Sequence, residues 1–124
     1  LTSGSMESTV AQAKISREQV RSENKEMLQS IIDSTAVSEE EKQGAIAQML
    51  KMTELSEQEM AIETLMSSKG FSDAVVNLTE DSADIVVNAT ELTDANRAQI
   101  EDIVTRKTEI APENIVISPI HASE

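Results

Sequence analysis

Carboxylates are the side chains of this sequence with the greatest capacity for chemistry, since 23 residues are Asp or Glu. Paired carboxylates serve as general acids and bases or bind divalent cations. The run Glu39–Glu41, however, follows Ser38 at a predicted helix start, where it complements the helix dipole and Ser38 can form a capping box. Asp81 and Asp84 lie in a predicted turn that lacks the glycine and terminal glutamate of an EF-hand loop. We therefore predict structural roles for both groups.

Other reactive groups are too sparse for a catalytic or cofactor site. His121 is the single histidine and lies near the carboxyl terminus, and there is no cysteine. A histidine-based triad, a thiolate metal site and a disulfide framework are thereby excluded. The three glycines, Gly4, Gly44 and Gly70, form no phosphate-binding loop and no GxxG loop of KH domains. We predict a protein that is not an enzyme and holds no cofactor or metal, and the remaining catalytic alternative is an enzyme whose substrate carries its own metal.

The charge balance limits the classes of partner. The formal net charge is −13, and neither half of the chain is basic, so nucleic acid and anionic membrane surfaces would be repelled. Phe71 is the single aromatic residue, which argues against an aromatic-lined ligand pocket. No apolar run approaches the roughly 20 residues that span a bilayer. The opening residues 1–5 resemble an expression-vector remnant, so we expect any membrane attachment to come from an anchor upstream of this sequence.

Two helical regions are predicted before Gly70. Residues 6–36 contain no glycine or proline, and Arg17 and Asn24 interrupt an otherwise apolar heptad seam, so the first turns are expected to project into solvent or await a partner. The seam residues are Val10, Ala13, Val20, Met27 and Ile31.

A second helix is predicted from Ser38, with a break near Ser56, where a second capping-box pattern occurs. It is expected to end at Gly70 in a Schellman motif, with Phe71 folding back on the core. Its predicted buried face comprises Met60, Ile62, Leu65 and Met66.

The apolar period changes from helical to two after Gly70, which predicts a β-hairpin. One register places Leu78 opposite Val87 and Asn77 opposite Asn88. Thr93 is predicted to cap a further helix with Ile100, Ile103 and Val104 buried, and residues 115–117 to form a last strand.

The element order predicts an α+β fold, in which long amino-terminal helices precede an αββαβ unit with two helices on one face of a three-stranded sheet. The right-handed crossover rule places the last strand parallel to the second and most easily beside the first. The expected divisions are residues 1–5, a helical region 6–55, the αββαβ unit 56–120 and a tail 121–124.

The other sheet face is the predicted partner-binding surface, because it is only partly polar. The alternative is that the amino-terminal helices fold back and cover it. Its candidate contact residues are Val75, Asn77, Val86, Asn88, Val116, Ser118 and Ile120.

Two segments carry a resemblance to a known family. Residues 69–76 read KGFSDAVV and residues 112–119 read PENIVISP, while residues 56–65 and 17–36 add weaker similarity. On these segments the chain resembles the carboxy-terminal soluble region of the stage III sporulation protein AH family.

That resemblance implies a ring-building motif, of the kind found in secretion-system and flagellar basal-body proteins, carried on one transmembrane helix. The family lies in the mother-cell membrane with its soluble domain in the space between mother cell and forespore. There it would bind the LytM-like domain of stage II sporulation protein Q in a channel needed for engulfment and forespore gene expression, and form homo-oligomers. The alternative function is a helical adaptor that uses residues 6–36 as a coiled-coil arm.

Overall fold

The computed structural model describes residues 2–89 and 91–120, with side chains from residue 9 onward. The predicted elements are present in the predicted order. They are α1 (Thr2–Asp33), α2 (Glu39–Ser68), β1 (Ala74–Leu78), β2 (Ala83–Asn88), α3 (Asp94–Lys107), a 3₁₀ turn (Pro112–Asn114) and β3 (Ile115–Ile120).

The start of α2 confirms the predicted capping box. The Ser38 hydroxyl accepts the N–H of Glu41 at 3.1 Å, and the Glu41 carboxylate accepts the N–H of Ser38 at 3.4 Å. The break predicted near Ser56 is wrong, because α2 continues to Ser68. Ser56 and Glu59 make tertiary hydrogen bonds instead of capping a new helix.

The predicted Schellman motif at the end of α2 is confirmed. Phe71 N–H donates to Met66 O at 2.8 Å and Gly70 N–H to Ser67 O at 3.1 Å, which satisfies two carbonyls of the last turn. Gly70 has φ +98°, a conformation that side chains disfavour. Phe71 packs against the core as predicted.

The β1–β2 hairpin forms with a different register from the predicted one. Leu78 pairs with Ala83 rather than Val87, and Asn77 with Asp84 rather than Asn88. The turn is shorter than expected because Thr79 N–H donates to Ser82 O at 2.9 Å. The difference is four residues, an even number, so the side chains keep their predicted faces.

The last strand is parallel to β2, as predicted, but it lies beside β2 and not beside β1. The α3 crossover thus joins neighbouring strands. The outer edge of β1, the predicted site, is occupied by side chains of α1 and α2.

The main core lies between the sheet and the helices α2 and α3, which confirms the predicted two helices on one face. Ile62 and Met66 are fully buried, whereas Met60, expected in the core, is 65% exposed. From α3 the predicted residues Ile100, Ile103 and Val104 are buried. The sheet contributes Ala74, Val76, Leu78, Ala83, Ile85, Val87, Ile115 and Ile117.

Candidate interaction surface

The outer edge of β1 is closed by charged side chains from the two long helices. Glu63 Oε2 accepts the N–H of Val76 at 2.9 Å, and Glu59 Oε2 accepts the N–H of Leu78 at 2.7 Å. Arg17 Nη1 donates to Val76 O at 2.7 Å. An added strand would need these backbone groups for its own hydrogen bonds, and they are already occupied.

The two glutamates are held in place by arginines of α1. Arg21 donates to both carboxylate oxygens of Glu59, through Nη2 at 2.7 Å and through Nη1 in a shorter contact. Arg17 Nη1 lies 3.0 Å from Glu63 Oε2, and Lys14 Nζ lies 3.8 Å from the other oxygen of Glu63. Such forked contacts fix the orientation of a carboxylate as well as its charge.

Glu59 is 1% exposed and the one charged residue that is buried among the side chains described. The hydrogen bond between Arg21 and Glu59 raises the pKa of Arg21 above its ordinary value. Burial of the guanidinium acts in the opposite direction and lowers that pKa. An arginine whose pKa is higher in the folded protein than in the unfolded one stabilises the fold at every pH below the pKa of the unfolded state. That stability is lost only as the pH rises through the pKa of the folded state. The ion pair therefore does not depend on Arg21 titrating near neutral pH.

The opposite edge of the sheet, β3, is obstructed by a different arrangement. Ala89 N–H donates to Ile120 O at 3.0 Å, so the backbone of Ile120 points toward β2. Backbone groups alternate in direction along a strand, and Ile117 lies three residues before Ile120. The N–H and carbonyl of Ile117 therefore point outward, away from β2. There Arg97 Nη1 donates to Ile117 O at 3.0 Å. Ile115 N–H is bonded to Pro112 O, and Pro119 has no N–H. Both edges therefore resist the addition of a further strand.

The face predicted to bind a partner is covered near β1. Val75 points away from α2 and α3, yet it is 1% exposed. Helix α1 lies against both β1 and β2, and its Val10 is buried as well. Val75 is thus not accessible, which corrects its expected place on an open surface, and the alternative of a helix folding back holds for this part of the face.

The remaining predicted contact residues differ in their accessibility. Asn77 is half-buried and lines a groove with Val20 of α1 and Met52 of α2. Asn88 is half-buried and donates to Asp73 Oδ2 at 3.2 Å.

Val86, Ser118 and Ile120 are also half-buried, and Val116 is 57% exposed. The accessible apolar part of this face accordingly lies on β2 and β3. We call Val86, Asn88, Val116, Ser118 and Ile120 the β2–β3 surface.

The network of Arg17, Arg21, Glu59 and Glu63 was missed by the sequence reasoning. The first turns of α1, where Arg17 interrupts the seam, were expected to project into solvent or await a partner, and Glu59 was assigned to a second capping box. A signal was present, since each helix carries its pair four residues apart, on one helical face, with opposite charges in the two helices.

Among the described side chains, no group of three or more His, Cys, Asp or Glu is placed to hold a metal ion. His121 lies outside the residues that the structure describes.

Comparison with known proteins decides the family. The model of the SpoIIIAH-like protein family matches residues 2–117. The chain belongs to the SpoIIIAH-like family. Stage III sporulation protein AH of Bacillus subtilis (strain 168) is 29% identical over 94 residues, which cover 76% of this chain. This SpoIIIAH-like chain spans 43% of the length of that relative.

A solved structure shares the fold of this SpoIIIAH-like chain. It is the structure of the SpoIIQ–SpoIIIAH pore-forming complex, and it matches with a TM-score of 0.75 and 24% sequence identity. The match covers 89% of this chain and 96% of the solved chain. Among the residues described here, no helix is both long and apolar enough to cross a membrane.

Proposed function

We propose that this SpoIIIAH-like chain is a non-catalytic interaction domain of a sporulation channel and engulfment complex. Its partner is the LytM-like domain of stage II sporulation protein Q, and the chain also forms rings with its own copies. The observation that carries the proposal is the family match over residues 2–117. The solved structure with the same fold belongs to a complex of SpoIIIAH with SpoIIQ, which supports the choice of partner.

The β2–β3 surface is the proposed contact. Its most accessible apolar residue is Val116, and Val86 lies on the neighbouring strand in the same face. Because several outward backbone groups of β1 and β3 are already engaged, the partner docks through side chains on this face and not by adding a strand. Val75 is left out since it is buried, and Asn77 lies at the margin beside α1.

The proposed location is the space between mother cell and forespore. The domain would project there from the mother-cell membrane, held by an amino-terminal anchor. A net charge of −13 favours a basic or neutral partner surface in that space. We also retain the division into residues 1–5, 6–55, 56–120 and 121–124 as a proposal, although residue 56 lies inside the continuous helix α2.

The test is size-exclusion chromatography with light scattering, on this protein alone and mixed with the LytM-like domain of a stage II sporulation protein Q. A mixed complex with the summed mass is expected. If the two proteins elute separately at high micromolar concentration, the proposed partner is wrong.

The helical adaptor is a second candidate because α1 carries exposed apolar residues. Ile15, Val20 and Met27 are each more than half exposed. Against it, Arg17 and Arg21 attach α1 to β1 and α2, so α1 is not a free arm. An Ile15→Asp variant should no longer bind the partner protein if the adaptor function is correct. It should bind the partner as the unchanged protein does if the β2–β3 surface is the contact.

A further inference from the structure

Strand β1 has the composition of a strand that pairs readily with another chain. Its sequence, AVVNL, contains no charged residue, no proline and no glycine. Uncharged edge strands rich in β-branched residues are templates for intermolecular pairing, and proteins commonly protect them with lysine, proline or a bulge. Strand β1 has none of these three devices within Ala74–Leu78.

Its protection comes from outside the strand. The outward N–H groups of Val76 and Leu78 are bound by Glu63 and Glu59, and the outward carbonyl of Val76 by Arg17. The carboxylates stand in for the acceptors of a neighbouring strand. Arg21 supplies the opposite charge beside the buried Glu59 carboxylate.

Helix α1 has few fully buried apolar side chains. Among its described side chains, residues 9–33, the buried apolar ones are Val10 and Leu28. Lys14, Arg17 and Arg21 of α1 add polar contacts to glutamates of α2. A short link, residues 34–38, joins α1 to α2 and can serve as a hinge.

We propose that α1 is a displaceable cover of the β1 edge, and that its release allows β1 to pair with β1 of a second copy of this chain. The outward residues of β1 are those whose N–H and carbonyl groups point away from β2, including Val76 and Leu78. An antiparallel pair centred on Val76 would exchange both hydrogen bonds between the two Val76 residues and match Leu78 with Ala74 of the second copy. Two three-stranded sheets would thereby become one of six strands.

The Arg–Glu network controls this release. Without the arginines, Glu59 is an uncompensated buried charge, which is costly. The cost is relieved when α1 moves away, because water then reaches the carboxylate and Glu59 can leave Leu78. Pairing of two copies through β1 requires no sporulation partner.

The first test is the double variant Arg17→Met, Arg21→Met in the full chain. By light scattering we expect a concentration-dependent doubling of mass over the unchanged protein, with circular dichroism still showing the folded content. Adding Asn77→Lys places a positive charge on the β1 edge of each copy and should reverse the doubling. If the double variant keeps the mass of the unchanged protein, the proposal is wrong.

Two further variants separate pairing from general destabilisation. Adding Glu59→Gln and Glu63→Gln to the double variant removes the uncompensated charges and keeps an acceptor for each N–H. This fourfold variant should therefore have the same mass in light scattering as the unchanged protein. The matched control is Lys51→Met, Arg106→Met, which removes two cations from exposed ion pairs on α2 and α3. Association of this control to the same extent would show that lost charge alone is responsible.

Hydrogen exchange on the unchanged protein tests the cover independently of the variants. The amides of Val76 and Leu78 should exchange together with those of α1, on the order of tenfold or more faster than the amides of Ile85 and Val87 in β2. If all four amides exchange only with global unfolding, α1 is not a separately displaceable element.

Discussion

The buried carboxylate of Glu59 accepts the backbone N–H of Leu78 at 2.7 Å, so a helix side chain occupies a hydrogen-bonding position at the sheet edge. The same carboxylate is held by Arg21 of the other long helix. Three elements, α1, α2 and β1, therefore meet at one side chain, and its removal should affect all three.

Replacement of Glu59 is expected to cost more stability than its position on a helix suggests. Glu59→Ala removes the carboxylate that compensates Arg21 and the acceptor of the Leu78 N–H, so we expect a loss of about 3–5 kcal/mol in the free energy of unfolding. Glu59→Gln retains an acceptor for Leu78 and should lose less. Urea denaturation measures both values, and equal losses would show that the hydrogen bond to Leu78 contributes nothing.

The core contribution of α2 can be tested at two residues two positions apart. Ile62 is fully buried, and Ile62→Ala should lower the free energy of unfolding by about 2–5 kcal/mol through lost burial and a cavity. Met60 is 65% exposed, and Met60→Ala should change it by no more than about 0.5 kcal/mol. Chemical denaturation of the two variants compares them directly, and similar losses would contradict the orientation of α2.

Two glycines of this protein should respond to alanine with opposite signs. Gly70→Ala forces a side chain into φ +98° and should destabilise the protein by about 1 kcal/mol. Gly44→Ala lies within α2, where alanine favours the helix by about 0.8–1 kcal/mol. An added Cβ would meet no atom within 4 Å at either position, so steric clash does not confuse the comparison. Thermal unfolding should show a lowered midpoint for Gly70→Ala and a raised one for Gly44→Ala, and a shared sign would be incompatible with this account.

The proposed partner surface can be tested without disturbing the fold. Val116→Asp introduces a charge at a residue that is 57% exposed, so stability should change by less than about 0.5 kcal/mol. Binding of the LytM-like domain should weaken at least tenfold, as measured by isothermal titration calorimetry. Val86→Lys on the adjacent strand should act in the same direction.

The control for these two variants is Leu50→Asp on α2, which changes an apolar residue outside the sheet that is 67% exposed. It should bind as the unchanged protein does. Unaltered binding by both sheet variants would exclude the β2–β3 surface.

Local signals in the sequence were sufficient for the elements of the fold. Ser38 with Glu41, Thr93, and Gly70 with Phe71 each predicted a helix end that the structure confirms. Such caps depend on residues within one turn, so neighbouring chain carries the needed information.

The arrangement of the strands depended on information that is not local. The hairpin register was set by hydrogen bonds of Thr79 within its turn, whereas alternation specifies only the faces. The position of β3 beside β2 followed from the occupied outer edge of β1. That occupation requires Arg17 and Glu63, which are 46 residues apart and are brought together only by the antiparallel packing of α1 and α2.

The partner-binding surface could be predicted only in part, because it too depends on contacts between residues far apart in the sequence. Alternation correctly placed Val86 and Val116 on the face opposite the core, and Val116 is exposed. The burial of Val75 could not be read from its strand, because it depends on the path of α1. The sequence pattern of α1, a seam interrupted by Arg17, left open whether the helix projects into solvent, awaits a partner or folds back over the sheet.

The two long helices have a practical consequence for how this protein travels through a column. At 1.5 Å per residue, the 32 residues of α1 extend about 48 Å, whereas a six-residue strand extends about 20 Å. Lys51 still faces the hairpin turn and Glu39 begins α2, so about 18 Å of the helical pair reaches past the sheet toward the link at residues 34–38. A rod-like extension raises the frictional coefficient, and elution volumes calibrated with spherical standards will therefore overstate the molecular mass of the monomer.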